Sequence, residues 1–446
     1  MEKVLKKLRK DAFLIFEAGL SAVSAKDAVE KALILENGML RVREREYNLS
    51  SYARIYLLGG GKASADMVAA LHEVLGDTIA GGVVSVPHGQ GGKAGKVRLL
   101  EASHPEPDQS GVENTREILR VAGQAGRDDL VFCVISGGGS SLLIAPPDGI
   151  SLADIVEMNK ALLMCGADIK EINTIRKHVS TIKGGRLARK IYPASLVTLV
   201  VSDVVGDDLA SIASGPTVPD TTSYGECLGI VEKYGLCGRI PDAVIQHLQR
   251  GADGMVEESV GDGDEAFKNT HSIVVASNST AVKAASARAK EMRYGVVSMS
   301  SSVVGDTHDA AHSHVRLAKK VLTKNDPVAP PACIISGGET TVKVRGHGKG
   351  GRNQEFVLSA AAEIEGLPIA VLSMGTDGID GLTDAAGAIC DGKTMARARE
   401  LQLEATSYLN NNDSYNFFAR LGDLVMTGPT GTNVSDIHII IIGKPT

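Results

Sequence analysis

The sequence predicts two α/β domains: a larger N-terminal one with a doubly wound, mostly parallel sheet, and a smaller C-terminal one with a mixed sheet. Three observations carry this. Apolar runs at 54–58, 130–135 and 196–201 alternate with helical stretches, and continuous apolar strands between helices belong to parallel sheets covered on both faces. The chain has 446 residues, more than the roughly 250–300 at which one core stops growing. The polar, acidic, Gly-rich stretch 251–264 reads as a boundary between cores. The expected domains are a Rossmann-like one over 1–255 and a second α/β domain over 265–446.

Composition narrows the function classes. With 43% hydrophobic and 22% charged residues, the chain can build packed cores. A net charge of −6 is wrong for a general polyanion binder, and 4% aromatics without Trp offer no stacking platform for single strands. The six cysteines form no CxxC pair, and Cys133, Cys333 and Cys390 lie in apolar runs, so buried thiols are expected rather than a zinc or disulfide framework. At the N-terminus Val4, Leu8, Ala12 and Ile15 recur at helical spacing, and Asp11 and Glu17 bracket a short apolar stretch. That favours an amphipathic helix over a cleaved leader. No apolar run approaches the ~20 residues of a membrane span, and the expected location is the cytoplasm.

Along the chain, the strand 54–58 leads through Gly59-Gly60-Gly61-Lys62 into a helix over 63–75. Backbone amides at such a helix start can hold an oxyanion, and Lys62 adds a full charge. It is not a Walker A loop, because Ala63 stands where that motif places Ser or Thr. The strand 130–135 ends in Ser136-Gly137-Gly138-Gly139-Ser140-Ser141, and 200 residues later another ends in Ser336-Gly337-Gly338-Glu339-Thr340-Thr341. Two strand ends with Ser-Gly-Gly suggest two anion cradles. On a helix, Asn173, Arg176, Ser180 and Lys183 share one face and Ile172, Ile175, Val179 and Ile182 the other. The first face could line an anionic pocket or simply be solvated.

Further carboxylates and cations follow strands. Asp203 closes the run 196–201, a position suited to holding Mg²⁺ or accepting a hydroxyl proton. A second set of strands is expected at 272–276, 332–335, 341–344, 369–373 and 437–442, with 341–344 alternating and half exposed. Gly346, Gly348 and Gly351 spell G-x-G-x-x-G, but an alternating strand precedes them and Glu363 and Glu365 come too early for a dinucleotide fingerprint. A flexible phosphate clamp carrying Lys349 and Arg352 is the better reading. Asp377, in Gly375-Thr376-Asp377-Gly378, could hold a metal or a hydroxyl. His104, beside Pro105, could touch a substrate or shape a turn.

Taken in order, Gly59–Lys62, Ser103–Pro105, Ser136–Ser141, Asn173–Gly185, Ser202-Asp203, Ser336–Glu339, Gly350–Glu355 and Gly375–Gly378 resemble the glycerate 2-kinase family with a C-terminal MOFRL-type domain. The resemblance spans nearly the whole chain. It implies ATP- and Mg²⁺-dependent phosphorylation of D-glycerate at the 2-hydroxyl, in a cleft between two α/β domains, by a monomer or homodimer without nucleic-acid or membrane partners. The family's active-site Lys and Arg fall on Lys62 and Arg352, with Asp203 as the further catalytic residue. Asp203 and Asp377 are the candidate metal carboxylates. Substrate or phosphate contacts are expected from Gly60, Gly61, Ser136, Gly137, Gly138, Ser140, Arg176, Lys183, Ser336, Gly337, Gly338, Glu339 and Asn353. An NAD(P)-dependent hydroxypyruvate reductase and a non-catalytic nucleotide- or glycerate-binding sensor are the rival readings.

Overall fold

The computed structural model describes residues 1–444. Three sheets organise the described residues. An antiparallel meander of β1 (Leu33–Glu36), β2 (Met39–Val42) and β3 (Arg45–Asn48) comes first. The next sheet contains β4 (Arg54–Gly60), β5 (Ile79–Pro87), β6 (Gly92–Ala94), β7 (Val97–Ala102), β8 (Asp129–Ser136), β9 (Ser195–Val201) and β10 (Thr270–Ala276), in the spatial order β10-β9-β8-β4-β5-β7-β6. From β9 to β7 every pairing is parallel, and β6 returns antiparallel. The third sheet contains β11 (Gly295–Ser298), β12 (Ala332–Gly338), β13 (Ile369–Gly375), β14 (Gly387–Asp391), β15 (Leu424–Val425) and β16 (Asp436–Ile442), in the order β11-β12-β16-β13-β14-β15. Only β11 and β12 pair in parallel, so this sheet is mixed as expected.

The apolar runs form these strands because both faces are covered. Every residue of β8, β12, β13 and β16 is buried. The parallel sheet also changes direction at β4. The chain runs from β4 outward to β5 and β7, then returns to β8 on the other side of β4. Ligands of open α/β sheets bind beyond the carboxyl ends of strands at such a switch point. The loops that leave β4 and β8 there are the ones carrying Lys62 and Ser140.

Two compact units divide the chain: Ala25–Val275, and Met1–Ser24 together with the chain from Ala276 onward. The expected boundaries, 1–255 and 265–446, differ from this at both ends. The first helix, Glu2–Ser21, packs on the helix Asn278–Glu291 and on β13 and β16 of the second unit. It forms as its spacing predicts, with Leu5, Leu8, Ala12, Ile15 and Phe16 buried. Residues 272–276, expected to open the second domain, instead lie in β10, beside β9 in the first large sheet. An apolar strand pattern does not say which sheet edge it will join. The strand expected at 341–344 is reduced to one bridge, between Asp306 and Thr341. Cys133, Cys333 and Cys390 are buried, as their settings imply.

Candidate active site

At the carboxyl end of β4 the Lys62 turn is held by the loop after β8. Lys62 donates its backbone N–H to the Gly137 carbonyl at 2.8 Å, and Ala63 donates its own to Ser136 Oγ at 3.0 Å. Gly61 has φ +150°, and a Cβ there would collide with Ser136. Gly60 lies against Leu143 and Ser85 and fixes the strand end. Gly60, Gly61, Ser136 and Gly137 are therefore buried supports of the lysine turn rather than open ligand contacts. Gly138 has φ +81°, a left-handed turn that a side chain disfavours. A Cβ on it would lie 2.8 Å from His104 Cδ2 and 3.1 Å from Lys62 Cγ, so Lys62, His104 and Gly138 converge.

Next to this turn is a cavity of about 380 Å³ within the first unit. His104, Gly138 and Ser140 form one side of its lining, Arg176, Ser180 and Lys183 another, and the helix Leu152–Met164 supplies Ile155, Met158 and Leu163. The expected single helical face for 173–183 is corrected. The helix Ile169–His178 ends at Val179, and Ser180 Oγ accepts the N–H groups of Ile182 and Lys183 in a turn. The turn still delivers Arg176, Ser180 and Lys183 to one cavity. Asn173 lies outside it, accepting a hydrogen bond from Ser214 Oγ at 3.1 Å. The expected apolar stripe of Ile172, Ile175, Val179 and Ile182 is buried.

The electrostatics of this cavity set it apart. Arg176 Nε donates to Asn159 Oδ1 at 2.7 Å, and Lys183 Nζ donates to the Ser140 carbonyl at 2.8 Å. Neither cation has a carboxylate partner among the described residues. Burial, with repulsion from Arg176 added, lowers the Lys183 ammonium to about 7, and burial lowers Arg176 as well. A buried lysine beside a half-buried arginine, without countercharge, is costly unless an anion completes them. Lys177, six residues before Lys183, shows the contrast: it is equally buried but bonds to Asp220 at 3.0 Å.

In the second unit Arg352 begins the helix Arg352–Glu363. Its Nε and Nη2 meet the two oxygens of Asp436 at 2.5 and 3.1 Å, and Nη1 meets Glu339 at 2.7 Å. Burial pulls its pKa down, but Asp436 more than offsets this and keeps the guanidinium charged. Asn353, an expected substrate contact, is fully buried and bonds to Asp436, Asp380 and Ser373. Asp377 accepts the Ile379 N–H at 3.1 Å in the loop after β13.

The second Ser-Gly-Gly stretch is not an open cradle. Ser336 is buried and shares a hydrogen bond with His314 Nε2 at 2.7 Å. A Cβ on Gly337 would collide with Asn278, and one on Gly338 with Val303. The Gly337 and Glu339 amides already donate to Ser300 and Val303 at 2.8 Å. The glycines of this copy serve a close approach between segments. Of its residues, Glu339 is exposed and bonds to Arg352.

The loop before Arg352 is also tighter than expected. Arg345 and Gly346 donate their amides to Asn412 Oδ1 at 2.6 and 3.0 Å, His347 to Asn411 Oδ1 at 3.1 Å, and Lys349 to Asp413 Oδ1 at 2.9 Å. Lys349 Nζ lies 3.7 Å from the Tyr415 ring centroid and pairs with Asp384. A flexible clamp is thus replaced by a stapled loop, because the Asn411–Asp413 turn takes its amides. Asn412→Ala is expected to lower stability in urea unfolding by about 2–4 kcal/mol, since it strands two amides and the Glu355 carboxylate that Asn412 Nδ2 serves at 2.7 Å. A loss below about 0.5 kcal/mol would refute the staple.

Asp380 caps the Arg352 helix, accepting the amides of Asn353 and Gln354 at 3.0 and 2.9 Å. Burial pushes its carboxyl up to about 6, against the pull of those amides. The folded state therefore holds this proton more tightly than the unfolded chain, whose carboxyl titrates near ~3.9. Its contribution to stability is full below that value and is lost as pH rises through about 6. Asp380→Asn is expected to remove roughly 2–3 kcal/mol of pH dependence between pH 4 and 7, read as the difference between wild-type and variant unfolding curves. Parallel curves would place that titration elsewhere.

No group of three or more His, Cys, Asp or Glu side chains that could hold a metal gathers among the described residues. Asp203, following β9, and Asp377, following β13, lie in different units.

A parallel α/β sheet with a cation-lined cavity near its switch point has the geometry and charge suited to a multiply charged anion. A family model described as a domain of unknown function (DUF4147) matches residues 11–249, and the MOFRL family matches residues 332–436. The chain is 38% identical to a glycerate 2-kinase of Pyrococcus horikoshii over 94% of its own length and 95% of that protein. It is 44% identical to a putative hydroxypyruvate reductase of Agrobacterium vitis, over 87% of this chain and 100% of that one. The crystal structure of a glycerate kinase from Thermotoga maritima superposes with a TM-score of 0.86 at 37% identity, covering 98% of this chain and 100% of that one. The chain belongs to the glycerate 2-kinase family, with a DUF4147 region followed by a MOFRL domain. No helix among the described residues is long and apolar enough to cross a membrane.

Proposed function

We propose that the protein transfers the γ-phosphoryl group of ATP to the 2-hydroxyl of D-glycerate, releasing ADP and 2-phosphoglycerate. The observation that carries this reading is the unpaired cation pair, Arg176 and Lys183, in a cavity beside the Lys62 turn. Full-length similarity to glycerate 2-kinases supplies the substrate. In the transfer, the 2-hydroxyl oxygen bonds to the γ-phosphorus as the bond to the β-phosphate oxygen breaks, and ADP carries off the electron pair. Such reactions need positioning and charge neutralisation more than covalent help from the protein. Lys62 and Arg352 neutralise charge on the transferring group and the glycerate carboxylate. Asp203 accepts the hydroxyl proton or serves as a Mg²⁺ ligand, with Asp377 the second carboxylate offered to the metal. Mg²⁺, where these carboxylates hold it, would supply charge neutralisation to the phosphates.

The name of the Agrobacterium relative raises reduction of hydroxypyruvate. The G-x-G-x-x-G stretch does not favour it, because Asn411–Asp413 already takes the amides a pyrophosphate would need. Coupled ADP detection with D-glycerate and a divalent cation, followed by NMR of the product, separates the readings. Expected is ADP formation that requires glycerate and the cation, with phosphate on C2. Absence of glycerate-dependent ADP across common divalent ions, with NADH consumed by hydroxypyruvate, would overturn the kinase reading. Phosphate on C3 would overturn the regiochemistry alone.

A further inference from the structure

Two chemically distinct sets of side chains line the cavity of the first unit. One is polar: Arg176, Lys183 and Ser140, beside the turn where Gly138 meets Lys62 and His104. The other is aliphatic: Ile155, Val156, Met158 and Leu163 on the helix Leu152–Met164, which also contributes Lys160 and Asn159, the partner of Arg176. Glycerate accounts for the first set only. Its three carbons carry a carboxylate and two hydroxyls, so it has no apolar face to set against the second. At about 380 Å³, the cavity lies in the ~300–1,000 Å³ range of sites for far larger ligands. A nucleotide matches both sets: its phosphates are multiply charged, and its base and ribose bring a broad, weakly polar surface.

We propose that this cavity is the nucleotide site, with the phosphates at Arg176, Lys183 and Ser140 and the nucleoside against the aliphatic side chains of the helix Leu152–Met164. The assignment rests on the kinase reading for its ligand and places ATP in the unit Ala25–Val275. The terminal phosphate then points toward Lys62, on the other side of Gly138. Phosphate beside the half-buried Arg176 and the buried Lys183 supplies the countercharge they lack. Burial lowers the Lys183 pKa to about 7, and phosphate beside it favours the charged form.

The test is calorimetric titration of ADP into the full-length protein without glycerate, for wild type, Lys183→Met and Val156→Trp. Met keeps the bulk of the buried lysine and removes its charge. Val156 lines the cavity from a half-exposed position, so Trp fills the cavity beside the aliphatic side chains without entering the core. Expected is ADP binding weakened at least tenfold in both variants, with unchanged circular dichroism. The KM for ATP rises about as much, and the KM for D-glycerate stays within twofold. Wild type that fails to bind ADP, or variants that bind it as wild type does, would overturn the assignment. So would a KM for glycerate that rises while that for ATP holds, since the cavity would then be the acid site. If wild type turns over glycerate and the variants bind ADP normally, the assignment falls and the kinase reading stands. If wild type binds ADP, the variants lose it and glycerate releases no ADP, the nucleotide site stands and the kinase reading falls.

Discussion

Arg352→Lys is expected to lower the kcat of glycerate-dependent ATP turnover by roughly 10²–10⁴, and to raise the KM for D-glycerate by less. The guanidinium is a fork held in place: two of its nitrogens grip Asp436 and a third meets Glu339, from the first residue of a helix. It is also about a third exposed, with 31% of the side chain open, so donors remain for a ligand. Lysine carries one compact charge and cannot hold both carboxylates while presenting a further planar donor. Steady-state kinetics and a melting curve on the one variant separate three roles. Loss of kcat at wild-type Tm marks a contact made in the transition state. A raised KM with kcat intact marks ground-state binding of the carboxylate. A lowered Tm with normal kcat in the folded fraction marks a purely structural pair with Asp436, which is buried and would be left without its cation.

Lys62→Met is the second large effect, an expected loss of about 10²–10³ in kcat with the overall fold unchanged. Its backbone position is secured by the bond to Gly137, which the substitution leaves in place. The start of its side chain passes the Gly138 turn, with Cγ close to that glycine. Methionine retains most of the stem and removes only the charge. Circular dichroism then reports the fold, and kcat with saturating ATP and glycerate reports the charge. Wild-type kcat in this variant would remove Lys62 from the reaction and leave the turn as a structural support of β4 and β8.

Much of the fold was legible as pattern. The strands β4, β8, β9, β12, β13 and β16 contain the continuous apolar runs, because burial on both faces favours apolar residues at most positions. The first helix follows its spacing for the same reason on one face. The Lys62 and Ser140 turns could be found because glycines at strand ends have a narrow set of physical uses. The site wall, by contrast, was missed. Ile155 and Met158 belong to a packed core and also border the cavity, and no residue type marks that second use.

The two Ser-Gly-Gly copies show where local sequence stops. By itself the sequence determined that each would end a buried strand, since strand burial and glycine chemistry are local properties. Only the tertiary structure decided that the first would face a cavity and the second would be covered, because the segment around Ser300 and Val303 takes the second copy's amides. The lysines make the same point about charge. Lys177 and Lys183 are both buried, yet Lys177 meets Asp220, 43 residues further along the chain, and Lys183 meets a carbonyl and a cavity. A cation becomes a binding group when no carboxylate reaches it, and that depends on partners distant in the chain, which only folding brings near or keeps away.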